Sequence, residues 1–337
     1  MKAMVLNAAN SIALQDIPRP KRDAGQVLVR VNYSGICGTD LKIFQGGIPV
    51  DYPRVMGHES IGTVVEGGTG VKSGATVIVD PAYSCGACYI CRAGQEHICP
   101  NGGLIGRDVD GGFAEYQLAP AGNVYEIPDS VDPADAALIQ PMTTCLHGQR
   151  LAKIFPGEAV IVIGLGVTGL LHVQLAKAHG AYPVIGITRS QWKLDLARQL
   201  GADVTIAPGD DLKDRVLEVT GGRGADLVIE SVGKLAMLAQ AVDLARIGGR
   251  ILPFGIYTEK EGRLPFYDLY FKELNLINTR VAKPQDFPAC IDFVSREIVK
   301  LAPLITHKVR LDAMDDALDL LKEGDSSRMK IILDQTG

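Results

Sequence analysis

Cys85, Cys88, Cys91 and Cys99 stand at the spacing C-x2-C-x2-C-x7-C, and the whole chain has only seven cysteines. Thiolates this close in sequence can surround one Zn²⁺ tetrahedrally. Gly86 and Gly94 give the intervening chain freedom to wrap around an ion. With all four positions filled, no place is left for water or substrate, so such a metal would be structural. An iron–sulfur cluster is a rival. Ferredoxin-type runs also place cysteines two apart and carry a proline after the last, as Pro100 follows Cys99 here. Free buried cysteines and a nucleic-acid-binding knuckle are the remaining readings. The segment holds a single strong base, Arg92, which counts against the knuckle.

A second group of residues points to a nucleotide. "AVIVIGLGVTG" places Gly164, Gly166 and Gly169 as G-x-G-x-x-G between a strand-like run and a helix-like one. That context gives the motif its force. Gly164 suits the tight turn, Gly166 a close approach of backbone to pyrophosphate, and Gly169 close helix–strand packing. Val167 and Thr168 open the helix, whose free N–H groups and dipole favour a phosphate. The next strand, "VIGI", ends in Thr188, Arg189 and Ser190 with no acid. An NAD site usually has Asp or Glu there for the ribose 2′-hydroxyl. A carboxylate would repel a 2′-phosphate, whereas Arg189 can pair with it and the two hydroxyls can donate to it. NADP is therefore expected, with NAD as the alternative.

A third group is weaker when taken alone. "GICGTD" carries Cys37, Thr39 and Asp40, and "MGHES" carries His58 and Glu59. Cys and His are a usual first pair for zinc, but two such residues so far apart are often unrelated.

The elements that must position these groups divide into two patterns. Residues 1 to about 145 read as short strands punctuated by Gly, Pro, Asp and Asn. From "DPADAALI", with Asp132 as helix N-cap and Pro133 at the first helical position, strands and helices alternate to about Arg280. That alternation predicts a parallel sheet with crossover helices. Helices are expected over Thr168–His179, Gln191–Leu200, Lys234–Ala245, Phe287–Val299 and Met314–Glu323. The chain has 337 residues, 47% apolar and 22% charged, with a net charge of −5. The size suits two domains, and the acidity argues against a nucleic-acid backbone as partner. No apolar run approaches the roughly 18–20 residues that span a bilayer. The N-terminal residues lack a signal-peptide pattern, so a cytoplasmic protein is expected. A reducing compartment favours metal or redox cysteines over disulfides.

"GICGTD", "GHE", the four-cysteine lobe, "GGFAEY", "GLGVTG" and "PLITHKV…A…LL" appear in that order across essentially the whole chain. Together they make it resemble the zinc-dependent medium-chain alcohol dehydrogenases, in the branch with sorbitol, threonine and sugar dehydrogenases. The resemblance implies an α/β fold. A GroES-like β-rich catalytic domain (residues 1–146, with the zinc lobe at 85–99) would be completed by a return segment at 281–337. A Rossmann domain at 147–280 would lie between them. It implies one structural zinc on the four cysteines and one catalytic zinc on Cys37 and His58, with Glu59 bound in some states and Gln140 supplying another ligand. Many relatives have Glu, Asp or Cys where Gln140 stands. With one thiolate and a neutral amide the site keeps a net positive charge, making it a stronger Lewis acid that holds zinc less firmly.

The implied activity is hydride transfer between a secondary alcohol, polyol or sugar hydroxyl and NADP(H). Thr39 would relay the hydroxyl proton. Lys42 stands where some relatives continue the relay with His. Asp40 would orient His58 through a hydrogen bond. Thr144 and Thr168 are expected near the nicotinamide, Lys330 near the pyrophosphate, and Thr39, Phe44, Glu59 and Gln140 around the substrate. His97, His147, His172, His179 and His307 are read as surface or packing residues. A homo-oligomer, a tetramer rather than a dimer, is expected. A zinc-free quinone reductase lacks the cysteine lobe and the Cys-His-Glu set. An inactive zinc-binding scaffold is the non-enzyme alternative.

Overall fold

A computed structural model describes all residues except 69, 324–326 and 337. Those five, which include part of the expected return segment, lie outside the description. The chain forms two compact units. The first contains Met1–Thr143, Val281–Glu297 and Leu301–Gly337; the second contains Thr144–Arg280 and Ile298–Lys300. The helix Ile139–Ala152 begins in the first and ends in the second.

The first unit is built on antiparallel pairing. Its long central strand, Gln26–Ile36, is flanked by Ser60–Glu66 and by Lys330–Asp334, and it also pairs with Tyr116–Pro120. Register places Ile331 opposite Ile36 and Asp334 opposite Tyr33. The two ends of the chain therefore share one sheet. Lys330–Asp334 is itself paired in parallel with Ile305–Arg310. A smaller three-stranded sheet holds Ser11–Asp16, Lys2–Ala8 and Arg54–Val55. Its core joins Met4, Leu6, Ile43, Phe44, Met56, Phe113 and Met314.

The second unit has six strands in the order Val204–Ile206, Val184–Ile187, Val160–Ile163, Ala225–Glu230, Ala245–Pro253, Asn275–Leu276. Every pairing in it is parallel. Val160–Ile163 and Val184–Ile187 are buried along their whole length. Continuous β-branched runs of this kind are what a sheet covered on both faces requires.

Helix boundaries fall close to the expected ones, at Val167–Ala178, Gln191–Gln199, Leu235–Leu244 and Met314–Glu323. Asp132 caps the short helix Pro133–Ala136, accepting from Ala134 N at 2.7 Å. The helix expected to reach Val299 spans Asp286–Ser295 instead, and Glu297 takes a left-handed φ of 56°. The helix Phe266–Phe271 and the edge strand Asn275–Leu276 were not expected. Their residues are exposed, so no apolar periodicity marks them. No helix among the described residues is long and apolar enough to cross a membrane.

Candidate active site

The loop around the four cysteines is anchored by the strand pair Ala82–Tyr83 and Gly103–Leu104 and contains the short helices Tyr89–Arg92 and Glu96–Ile98. Cys88 Sγ lies 3.5 Å from Cys91 Sγ and 3.7 Å from Cys99 Sγ, and Cys99 Sγ lies 3.5 Å from Cys85 Sγ. All four sulfurs fall within 4.8 Å of one another. Disulfides would need sulfurs at ~2 Å. A tetrahedron of thiolates around one ion at a Zn–S distance of ~2.3 Å sets its corners about 3.8 Å apart. The sulfurs therefore fit a single zinc ion. Backbone N–H groups of Ala87 and Cys88 lower the Cys85 thiol to about 6, which favours the ligating thiolate. Lys283 Nζ donates to Gly94 O at 2.8 Å, fastening the lobe to the return segment.

The second metal group is assembled from distant sequence. Cys37 ends the central strand region and caps the helix Gly38–Phe44, and His58 and Glu59 lie on the turn before Ser60–Glu66. Ligand atoms of Cys37, His58 and Glu59 lie within 4.8 Å of one another. The turn depends on Gly57, which has φ +98° and packs so closely that a Cβ would meet Phe113 Cδ1 at 2.5 Å. A soft thiolate, an imidazole and a carboxylate converging in a buried place suit zinc chemically.

Asp40 has no exposed surface. Its Oδ2 accepts from Cys37 N at 2.8 Å, and its Oδ1 lies 3.2 Å from His58 Nδ1, off the line of a good hydrogen bond. That leaves Nε2 of His58 as the nitrogen for a metal. Burial alone would lower the His58 pKa, but the Asp40 carboxylate, helped by Cys37, raises it well above the usual value.

Two residues make contacts that the sequence did not suggest. Lys330, expected beside a pyrophosphate, is buried at 4% exposure, and its ammonium pairs with Glu59 Oε2. Burial pulls its pKa down, but the charges of Glu59 and Cys37 outweigh this and raise it. Phe44, expected at the substrate, is 6% exposed and belongs to the apolar core, with Lys322 Nζ 5.0 Å from its ring centroid. Thr39 is half-buried on the same short helix, and Gln140 is 6% exposed at the start of Ile139–Ala152. The Gln140 backbone carbonyl accepts from Thr143 Oγ1 at 2.7 Å.

In the second unit, a cavity of about 610 Å³ is lined by the glycine turn (Gly164, Leu165, Gly166) and by Ile187, Thr188 and Arg189. Gly164 has φ +89°, and a Cβ on Gly169 would overlap Gly164 O, whereas a Cβ on Gly166 would meet nothing within 4 Å. The first pair is needed by the fold, and the open space over Gly166 is a cradle. Val167 and Thr168 start the helix beside it, and Thr168 Oγ1 lies 2.7 Å from Ser231 Oγ. Thr144 is half-buried on Ile139–Ala152. Ser190 is the N-cap of Gln191–Gln199 and does not line the cavity.

Sequence reasoning missed Lys193, Lys234 and Ser231, which also line the cavity; among the described residues no Asp or Glu does so. Lys193 lies in the first turn of Gln191–Gln199, just past the strand end that carries Arg189. Lys234 and Ser231 arrive from another strand end and leave no local signal. Glu230, fully buried, accepts from the backbone of Val232 and Gly233 at 2.7 and 3.0 Å and from Tyr257 Oη at 2.5 Å. It thereby ties two loops at the cavity's rim. Among the histidines, His172 is fully buried, edge-on to Phe254, and pushed by burial down to about 3. It is a packing residue.

Comparison with known proteins agrees with this assembly. Residues 23–129 match the family described as "Alcohol dehydrogenase GroES-like domain", and residues 167–296 match "Zinc-binding dehydrogenase". A sorbitol dehydrogenase of Halalkalibacterium halodurans is 33% identical over 99% of this chain and 99% of its own. A zinc-binding dehydrogenase of Sinorhizobium meliloti, solved bound to NADP, superposes with a TM-score of 0.94 at 34% identity, covering 99% of both chains. An alcohol dehydrogenase of Escherichia coli, solved with NADH, has a TM-score of 0.92 at 32% identity, again covering 99% of both chains. With both family halves in the expected order and relatives matched end to end, the chain belongs to the zinc-dependent medium-chain alcohol dehydrogenase family and is an oxidoreductase.

Proposed function

We propose that this enzyme transfers a hydride between NADP(H) and a secondary alcohol, a polyol or a sugar hydroxyl. The observation that carries the cofactor choice is the cavity wall: Arg189, Lys193 and Lys234 line it, and among the described residues no carboxylate does. A 2′-phosphate would find cations there and no opposing acid. The dinucleotide pyrophosphate would lie over Gly166 at the N-terminus of Val167–Ala178.

At the metal, Cys37 and His58 are the fixed ligands, the side-chain carbonyl of Gln140 is a third, and Glu59 binds only in some states, its carboxylate otherwise paired with Lys330. When bound there, zinc supplies Lewis acidity toward the substrate hydroxyl. The Asp40 carboxylate faces Nδ1 of His58 at 3.2 Å, which leaves Nε2 as the nitrogen for the metal. Thr39 accepts the hydroxyl proton and passes it toward solvent, and its half-buried position suits that relay. Thr39, Glu59 and Gln140 give the substrate polar neighbours, which suits a polyol or sugar. The four cysteines hold a second, structural zinc.

Association into a homo-oligomer, a tetramer, fits the second unit. Its edge strand Asn275–Leu276 is unpaired on one side, and Phe266, Tyr267, Tyr270 and Phe271 beside it are each more than 60% exposed.

The NADH-bound neighbour supports a second reading, an NAD-dependent enzyme of the sorbitol or threonine type. Measuring kcat/KM with both cofactors against a panel of polyols, aldoses and secondary alcohols separates the two. NADP should win, and a strong NAD preference would overturn the proposal.

A further inference from the structure

We propose that Gly35 is a positioning residue: the missing side chain there forms a seat that keeps the Glu59 carboxylate on Lys330 and off the metal. The inference rests on the zinc reading above. Gly35 lies near the end of the central strand, opposite Ile332 on one neighbour, and its N–H donates to Glu59 O at 2.9 Å. It is not among the residues with positive φ, so the backbone there would accept any residue. Glycine weakens the interior of a strand, and conformation gives no reason for it at this position.

The reason is steric and specific. A Cβ on Gly35 would overlap Glu59 Oε2 and fall 2.8 Å from Lys330 Cε and 3.1 Å from Glu59 Cδ. All three obstructing atoms belong to the buried ion pair. Gly62, in the neighbouring strand, differs: a Cβ there would meet Arg30 backbone and Val29, which is ordinary sheet packing. Gly35 therefore keeps open the space in which one carboxylate meets one ammonium.

A buried carboxylate driven off its ammonium must find another positive partner. Cys37 Sγ, a His58 ring nitrogen and a Glu59 carboxylate oxygen already lie within 4.8 Å of one another. With a side chain at 35, the metal becomes the remaining cation for Glu59. Glu59 then changes from a parked group to a standing ligand and occupies the coordination position that substrate needs.

Cobalt in place of zinc gives a visible spectrum that reports the ligand set, and metal loss to a chelator reports affinity. Gly35→Ala should shift the cobalt spectrum and slow metal loss by about tenfold, the lower end of effects at residues that orient ligands. It should also raise KM. Adding Glu59→Ala should cancel the effect, so the double variant matches Glu59→Ala alone. Folded Gly35→Ala with the wild-type spectrum and rate overturns the proposal. So does an equal change when Gly35→Ala is made in the Glu59→Ala background. If Gly35→Ala does not fold, the double variant decides: recovered folding supports the seat, and failure to recover overturns it. A wild-type chain that takes up metal only at the four cysteines would sink the zinc reading itself, a result distinct from either of these.

Discussion

The chain gathers candidate metal ligands twice, in opposite ways. The lobe takes four like residues from one short stretch, leaves Cys85 exposed and the other three half-buried, and needs no residue from elsewhere to complete the set. The pocket takes three unlike residues from two loops, buries His58 and Glu59, and brings Lys330 from the far end of the chain to balance Glu59. Four thiolates leave nothing to exchange. A mixed set with a removable carboxylate can hold a metal and still open a position. Local spacing builds a fixed metal site; assembly from distant residues builds one that can change state.

The contrast breaks most sharply at Cys37. Cys37→Ser should lower turnover about a thousandfold or more, since the metal's Lewis acidity is worth several kcal/mol. One metal per chain should remain on the lobe, measured by metal content beside steady-state rates. Equal loss of both metals would mean the two sites are not separate. Cys91→Ser should do the reverse. We expect it to cost about 3–5 kcal/mol of stability, as removing a structural metal does, or to dissociate the proposed oligomer. Folded molecules should keep their turnover. Unchanged thermal stability and assembly with lost turnover would assign the lobe a part in catalysis.

Two subtler changes sharpen the pocket alone. Asp40→Asn keeps an oxygen to accept from Cys37 N but removes the charge facing His58. Metal affinity at that site should fall about 10–100-fold, and chelator competition should show no change at the lobe. Gln140→Glu adds a negative charge where this chain has an amide. It should raise the kinetic pKa for alcohol oxidation by about one unit and hold zinc more firmly. A pH–rate profile with an unchanged or lowered pKa would remove Gln140 from the metal.

What could be read from the sequence follows the same division. The lobe was fully visible because its ligands are neighbours along the chain. The glycine turn was visible because each glycine answers a local demand: φ at Gly164, packing at Gly169, open space at Gly166. The parallel sheet was legible from buried β-branched runs such as Val160–Ile163. The Lys330–Glu59 pair was not legible because it is set by strand register, Ile331 against Ile36, which no local pattern encodes. The burial of Phe44 was not legible because a helix of two turns gives too few residues to tell its buried face from its open one. Lys234 was missed because cavities close over residues from separate strand ends.

The pairing of Lys330–Asp334 with Gln26–Ile36 also sets an order of events during synthesis. The parallel sheet of Thr144–Arg280 is contiguous apart from a three-residue return at Ile298–Lys300, so nearly all of it can fold as a unit while translation continues. The antiparallel sheet cannot. Its central strand emerges early and must wait for a neighbour made almost last. Until that strand docks, Glu59 has no counter-charge, and the ligands at Cys37 and His58 lack a finished wall. If zinc is captured at both groups, capture at Cys37 and His58 would follow the docking of that last strand, whereas the lobe, complete at Cys99, would be able to take its ion from a nascent chain.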